Sequence, residues 1–82
     1  MNEHCVRWAL QWHSRNKLDG ERKFFMWNGV VPYLFRTRRE ARAHIHQYHG
    51  DIKTRKFLRQ EPHGWRLPKT VQVEVRMKAV RR

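Results

Sequence analysis

Eighty-two residues allow one domain and one modest core, burying roughly 60–65% of the unfolded chain's surface. Charged residues make up 32% of the chain and hydrophobic ones 39%, arranged periodically, which favours a folded domain over disorder; the single Cys5 excludes an internal disulfide and fits a reducing compartment. The net charge is +12, of which residues 1–35 supply +2 and residues 36–82 supply +10, a lopsided field that concentrates anions on one part of the surface.

Cys5 to His13 alternates, with Val6, Trp8, Leu10 and Trp12 pointing one way and Arg7, Ala9, Gln11 and His13 the other. This predicts a strand with one apolar face. The segment Asn16–Glu21, containing Asp19-Gly20, is a turn into a second strand over about Arg22–Trp27, apolar enough to be central or two-sided. Asn28-Gly29 marks another turn, and Pro32 breaks any long strand through it. Tyr33–Arg36 then leads, as a short extended piece, into a helix over about 38–49.

Thr37 is the helix N-cap and Glu40, three residues on, completes a capping box. Ala41, Ile45 and Tyr48 form the expected buried stripe with His44 at its margin, and Gly50 ends the helix as a C′ residue. Residues 51–68 read as an irregular loop in which Phe57 and Trp65 are expected to be buried. From Thr70 to Val80 the alternation returns: Val71, Val73, Val75, Met77 and Ala79 are expected to face inward, and Gln72, Glu74, Arg76 and Lys78 outward. The order is β-β-(β)-α-loop-β, an α+β domain with a three- to four-stranded antiparallel sheet and one helix packed on one face. Residues 1–82 form one domain with flexible ends at 1–4 and 81–82. No stretch has the length of a membrane-spanning helix and no apolar signal segment opens the chain, so a cytoplasmic protein without membrane contact is expected.

The helix start is in electrostatic conflict. Arg38, Arg39 and Arg42 sit in or beside the first turn, with Arg36 just outside, where the helix dipole favours negative charge; each misplaced cation costs about 0.3–1 kcal/mol. Free N–H groups ringed by guanidinium groups suit a phosphate, so the conflict reads as a site built for an anion. Lys53, Arg55, Lys56 and Arg59 extend the basic track, interleaved with Phe57 and followed by Arg66. Arg76 and Lys78 flank it from the last strand. Basic side chains hold phosphates while aromatic planes stack on bases. Six histidines raise the question of a metal or of acid–base catalysis, but no paired-cysteine spacing accompanies them and no spacing selects a catalytic pair. Neither an enzyme nor a cofactor is expected.

The segments Phe35-Arg36-Thr37-Arg38-Arg39-Glu40-Ala41-Arg42 and Glu61-Pro62-His63-Gly64-Trp65-Arg66-Leu67-Pro68 resemble small basic proteins encoded by bacteriophages and prophages. The Phe-x-Thr-x-x-Glu-Ala junction also resembles the strand-to-helix junction of sheet-plus-helix DNA-binding domains of the AP2 and integrase-arm type, which implies a sheet that enters a DNA groove. The irregular stretch 51–68 departs from that pattern. Two functions are compatible with the charge: a module binding DNA or RNA through phosphates, or an anti-CRISPR-like inhibitor or accessory protein that binds a host nucleoprotein or an acidic protein surface. A monomer or a homodimer fits either.

Overall fold

The alternation that opens the chain runs further than its apolar part: Asn2–Asn16 is one strand, β1, and the sheet is assembled on it. The computed structural model describes residues 2–80; of the ends expected to be flexible, Met1 and the Arg81-Arg82 pair lie outside them, whereas residues 2–4 are part of β1 and pair with β6. A second long strand, β6 (Trp65–Lys78), runs antiparallel to β1 from Asn2↔Lys78 to Ser14↔Trp65. On the other edge of β1, β2 (Gly20–Phe25) pairs with Gln11–Asn16 and β5 (Leu34–Phe35) pairs with Trp8 and Ala9. Between them, β3 (Trp27–Asn28) and β4 (Val31–Pro32) make a separate hairpin around the Asn28-Gly29 turn, with Gly29 at φ 66°. The chain is therefore α+β, with a four-stranded antiparallel sheet.

The helix α1 spans Arg38–His49, and Thr37 Oγ1 accepts the Glu40 N–H at 3.2 Å. That satisfies one of the orphan donors of the first turn. Its apolar stripe buries Ala41 and Ile45 against Leu10 of β1, with Trp8, Met26, Tyr33, Phe35 and Leu67 packed around them. Burial of Leu10, which is fully enclosed, contributes about 1.5–3 kcal/mol of transfer free energy. The helix packs on β1 and also touches β5 and β6.

Several expectations change on folding. The second strand is an exposed edge, not a central or two-sided element, and stops at Phe25, with Trp27 in the hairpin beyond it. Its place is set by β1, whose other edge is already taken by β6. Gly50 does not close α1 in a left-handed conformation: its φ of −58° is helical, and the chain runs on into α2 (Asp51–Thr54) and then α3 (Lys56–Arg59). Residues 51–59 are thus two helical turns, not an irregular loop. Tyr48 and Phe57 are 63% and 55% exposed, so neither is a core residue, and Trp65 is half-buried.

The largest correction concerns the valines of β6. Residues directly opposite in an antiparallel pair share a face. Val71, Val73 and Val75 stand opposite Ala9, Arg7 and Cys5, whereas the helix covers the face of Trp8 and Leu10. The apolar side of β6 therefore lies on the sheet face away from the helix. Gln72 and Glu74 are on the helix side, opposite Trp8 and Val6. The register shift between Gln11 and His13, where Pro68 enters β6, belongs to this arrangement: a bulge accommodates a residue with no N–H to donate.

The turn before β6 is fastened to the β1–β2 turn. Asn16 Nδ2 donates to the His63 carbonyl at 2.9 Å, the Lys17 N–H donates to the Glu61 carboxylate, and the Arg15 N–H donates to the Gly64 carbonyl at 2.9 Å. Gly64 has φ 62°, and a Cβ on it would collide with the Arg15 carbonyl, so only glycine permits this approach.

Candidate nucleic-acid interface

The cations of α1 are set at four-residue intervals by the buried stripe. With Ala41 and Ile45 turned into the core, Arg38, Arg42 and His46 fall on the flank facing β6. The short helix α2 buries Ile52 and so carries Lys53 to the same side. Together with Leu67, Pro68, Lys69 and Thr70 of β6, these side chains line a cleft of about 380 Å³ between helix and sheet. Its lining contains five basic residues (Arg38, Arg42, His46, Lys53 and Lys69) and no carboxylate. Around the rim of α1, Arg39 joins Arg38, Arg42 and His46 along an open surface depression.

None of the four Lys and Arg side chains lining the cleft has a carboxylate partner among the described residues. The ion pairs among the described residues are Lys23–Glu21 and Arg76–Glu74. Arg38 has one structural role, its guanidinium lying 5.9 Å from the centre of the Trp8 ring. At an exposed site that contact contributes about 0.5–1 kcal/mol, comparable to the dipole cost of a cation at the same place. Among the described residues Arg39 and Arg42 have no such contact.

The sequence candidates divide accordingly. Arg38, Arg42 and Lys53 converge on the cleft and Arg39 borders it. Arg36 lies in the bend before α1, while Arg55, Lys56 and Arg59 lie on and before α3, all exposed and none lining the cleft. Arg66 donates to the carbonyls of Arg59 and Trp65, and so fastens α3 to β6. Arg76 is held by Glu74 through Nε at 3.1 Å, and Lys78 is at the far end of β6. Sequence reasoning did not place Lys69 or His46 in the lining of the cleft. The i+4 spacing of His46 from Arg42 was the available signal for one, but Lys69 reaches the cleft only through strand pairing.

The other flank of α1 is aromatic. Tyr33 and Phe35 meet His44, which meets Tyr48, with ring centres 4.5–5.3 Å apart at His44. His49 continues the series to Trp12, and Trp12 to Trp65, His63 and Phe57. Burial lowers the His49 pKa below 6.5, and the neighbouring His44 lowers it further. Among the described residues no group of three or more His, Cys, Asp or Glu side chains is placed to hold a metal ion. No helix among them is long and apolar enough to cross a membrane.

Comparison with protein-family models, with curated proteins and with solved structures finds no match to the chain.

Proposed function

We propose that the chain is a nucleic-acid-binding module that takes backbone phosphate in the cleft between α1 and β6. The observation that carries this reading is the lining of that cleft: five basic side chains on three elements, no carboxylate, and the first turn of α1 at one end. Guanidinium groups are matched in geometry to phosphate oxygens and an open helix N-terminus adds N–H donors, so the free site is electrostatically frustrated and the occupied one is not. Arg38 and Arg42 grip phosphate, while Lys53 and Lys69 close the site from the opposite wall. Arg39, Arg55, Lys56 and Arg59 add a diffuse field that steers the polyanion.

Binding of this kind is tolerant of sequence and steep in salt, affinity falling by about 0.9 log unit per log unit of salt for each duplex phosphate engaged. Fluorescence anisotropy with labelled duplex DNA, single-stranded DNA and RNA over a salt series tests it. The Arg38→Glu/Arg42→Glu variant is expected to lose affinity by about 100-fold and to flatten the salt slope by about two. Unchanged affinity in that variant would sink the reading and direct attention to an acidic protein surface as the partner of the basic face.

A further inference from the structure

We infer that the free edge of β6 pairs with the same edge of a second copy, and that the resulting dimer spaces two phosphate clefts to match one turn of a B-form duplex. The second half of this inference rests on the cleft reading above; the first half does not.

Among the described residues β6 pairs only with β1, so one of its two edges carries unpaired N–H and C=O groups. From Thr70 to Lys78 no other backbone hydrogen bond occupies that edge among the described residues. The free edge of β1 is shorter, Asn2–Arg7, and is bounded by β5 at Trp8. A regular edge of this length, without proline beyond Pro68, is a template for another strand.

The side chains select the partner and the register. A twofold axis normal to the sheet keeps each residue on its own face, so the possible registers are those centred on a residue. Centring on Glu74 opposes Glu74 to itself, and centring on Arg76 opposes Arg76 to itself; both place like charges in direct contact. Centring on Val73 opposes Glu74 to Gln72 and Arg76 to Thr70 and so pairs no opposite charges, whereas centring on Val75 opposes Glu74 to Arg76 of the second copy, twice by symmetry. On the other face it opposes Val75 to Val75, Val73 to Met77 and Val71 to Ala79. The Glu74–Arg76 ion pair now within one chain becomes part of a four-residue network. The apolar row that the helix leaves uncovered becomes continuous across the axis.

The same axis keeps both α1 helices on one face of the joined sheet. Thr70, in the cleft wall, is five residues from Val75, so the two copies of Thr70 are separated by about 33 Å along the strands at about 3.3 Å per residue. For Lys69 the separation is about 40 Å. One duplex turn is about 34–36 Å. Two clefts on one face at this spacing meet phosphates one turn apart, and the joint occupation raises affinity without any new contact.

Sedimentation of the nucleic-acid-free protein from micromolar to submillimolar concentration is the first test. The wild type is expected to dimerise reversibly, Glu74→Arg to weaken the dimer by about tenfold or more, and the exchange Glu74→Arg/Arg76→Glu to restore it. A wild type that stays monomeric throughout, or an exchange that fails to restore what Glu74→Arg removed, overturns the pairing. As a check independent of charge, Val75→Cys in a Cys5→Ser background is expected to form an intermolecular disulfide on oxidation, because the two Val75 positions face each other; Val73→Cys in the same background is not. Duplexes of about half a turn and about two turns then test the spacing. The wild type is expected to prefer the longer duplex by about tenfold or more, and Glu74→Arg to lose that preference while still binding both. Equal preference in the two proteins overturns the spacing. Absence of duplex binding by both overturns the spacing; absence of single-stranded DNA and RNA binding as well overturns the cleft reading, while sedimentation still decides the pairing.

Discussion

The two flanks of α1 are built from the same twelve-residue helix and solve opposite problems. On the β5 side the rings of Tyr33, Phe35 and Tyr48 pack at tilted angles around His44, and the packing satisfies itself. On the β6 side Arg38, Arg42, Lys53 and Lys69 line a cleft with no carboxylate in its lining. A structural flank gathers groups that attract one another. A flank that gathers groups that repel one another points to something absent from the chain, which is why the cleft and not the aromatic row carries the functional proposal.

The sharpest way to break this contrast is to remove what both flanks share. Leu10→Ala empties the position under Ala41 and Ile45 and is expected to cost about 2–5 kcal/mol in urea unfolding, impairing packing and binding together. Charge reversal separates the flanks: Arg38→Glu/Arg42→Glu is expected to weaken nucleic-acid binding by about 100-fold, or about 2.7 kcal/mol, without loss of fold by circular dichroism. Thr37→Ala removes the cap that orients the first turn and is expected to cost about 1 kcal/mol of stability.

Arg39→Glu is the most discriminating single change. It places a carboxylate at the positive end of the helix dipole, so it is expected to stabilise the free protein by about 0.3–1 kcal/mol while lowering affinity for nucleic acid. A thermal melt and a binding curve on the same preparation check both signs. A site kept basic for a ligand predicts opposite signs; a merely solvated face predicts no change in binding. On the aromatic side, Tyr48→Ala is expected to alter stability by less than about 0.5 kcal/mol, since most of the ring is in solvent.

The aromatic flank also carries a pH dependence. His49 binds its proton less readily in the folded state than in the unfolded chain, because of burial and the proximity of His44. The unfolded state therefore takes up the proton first as pH falls. Stability is full above the ordinary histidine pKa of about 6.5, declines through it, and levels off once the folded state is also protonated. Denaturant midpoints measured across this range are expected to fall less steeply for His49→Gln than for the wild type.

Local chemistry determined the helix by sequence alone. The Thr37 cap and the Ala41–Ile45 spacing are interactions within a few residues, and the helix that starts at Arg38 follows from them. The alternation of Cys5–His13 and Thr70–Val80 likewise determined two amphipathic strands and the antiparallel α+β class. Which face each apolar row would meet was decided only by pairing. A period of two says that Val71, Val73 and Val75 share a side, and the register with Cys5, Arg7 and Ala9 says which side. The exposure of Tyr48 and Phe57 has the same origin: a core around Leu10, Ala41 and Ile45 is too small to enclose every apolar group that helical spacing or composition offers it. For the site, the excess of cations near residue 38 was legible in the sequence, because charge and helix position are local properties. The wall that β6 supplies was not. Lys69 joins Arg38 and Arg42 through the hydrogen-bonded sheet, and a contact across some thirty residues is a property of the fold, not of the segment.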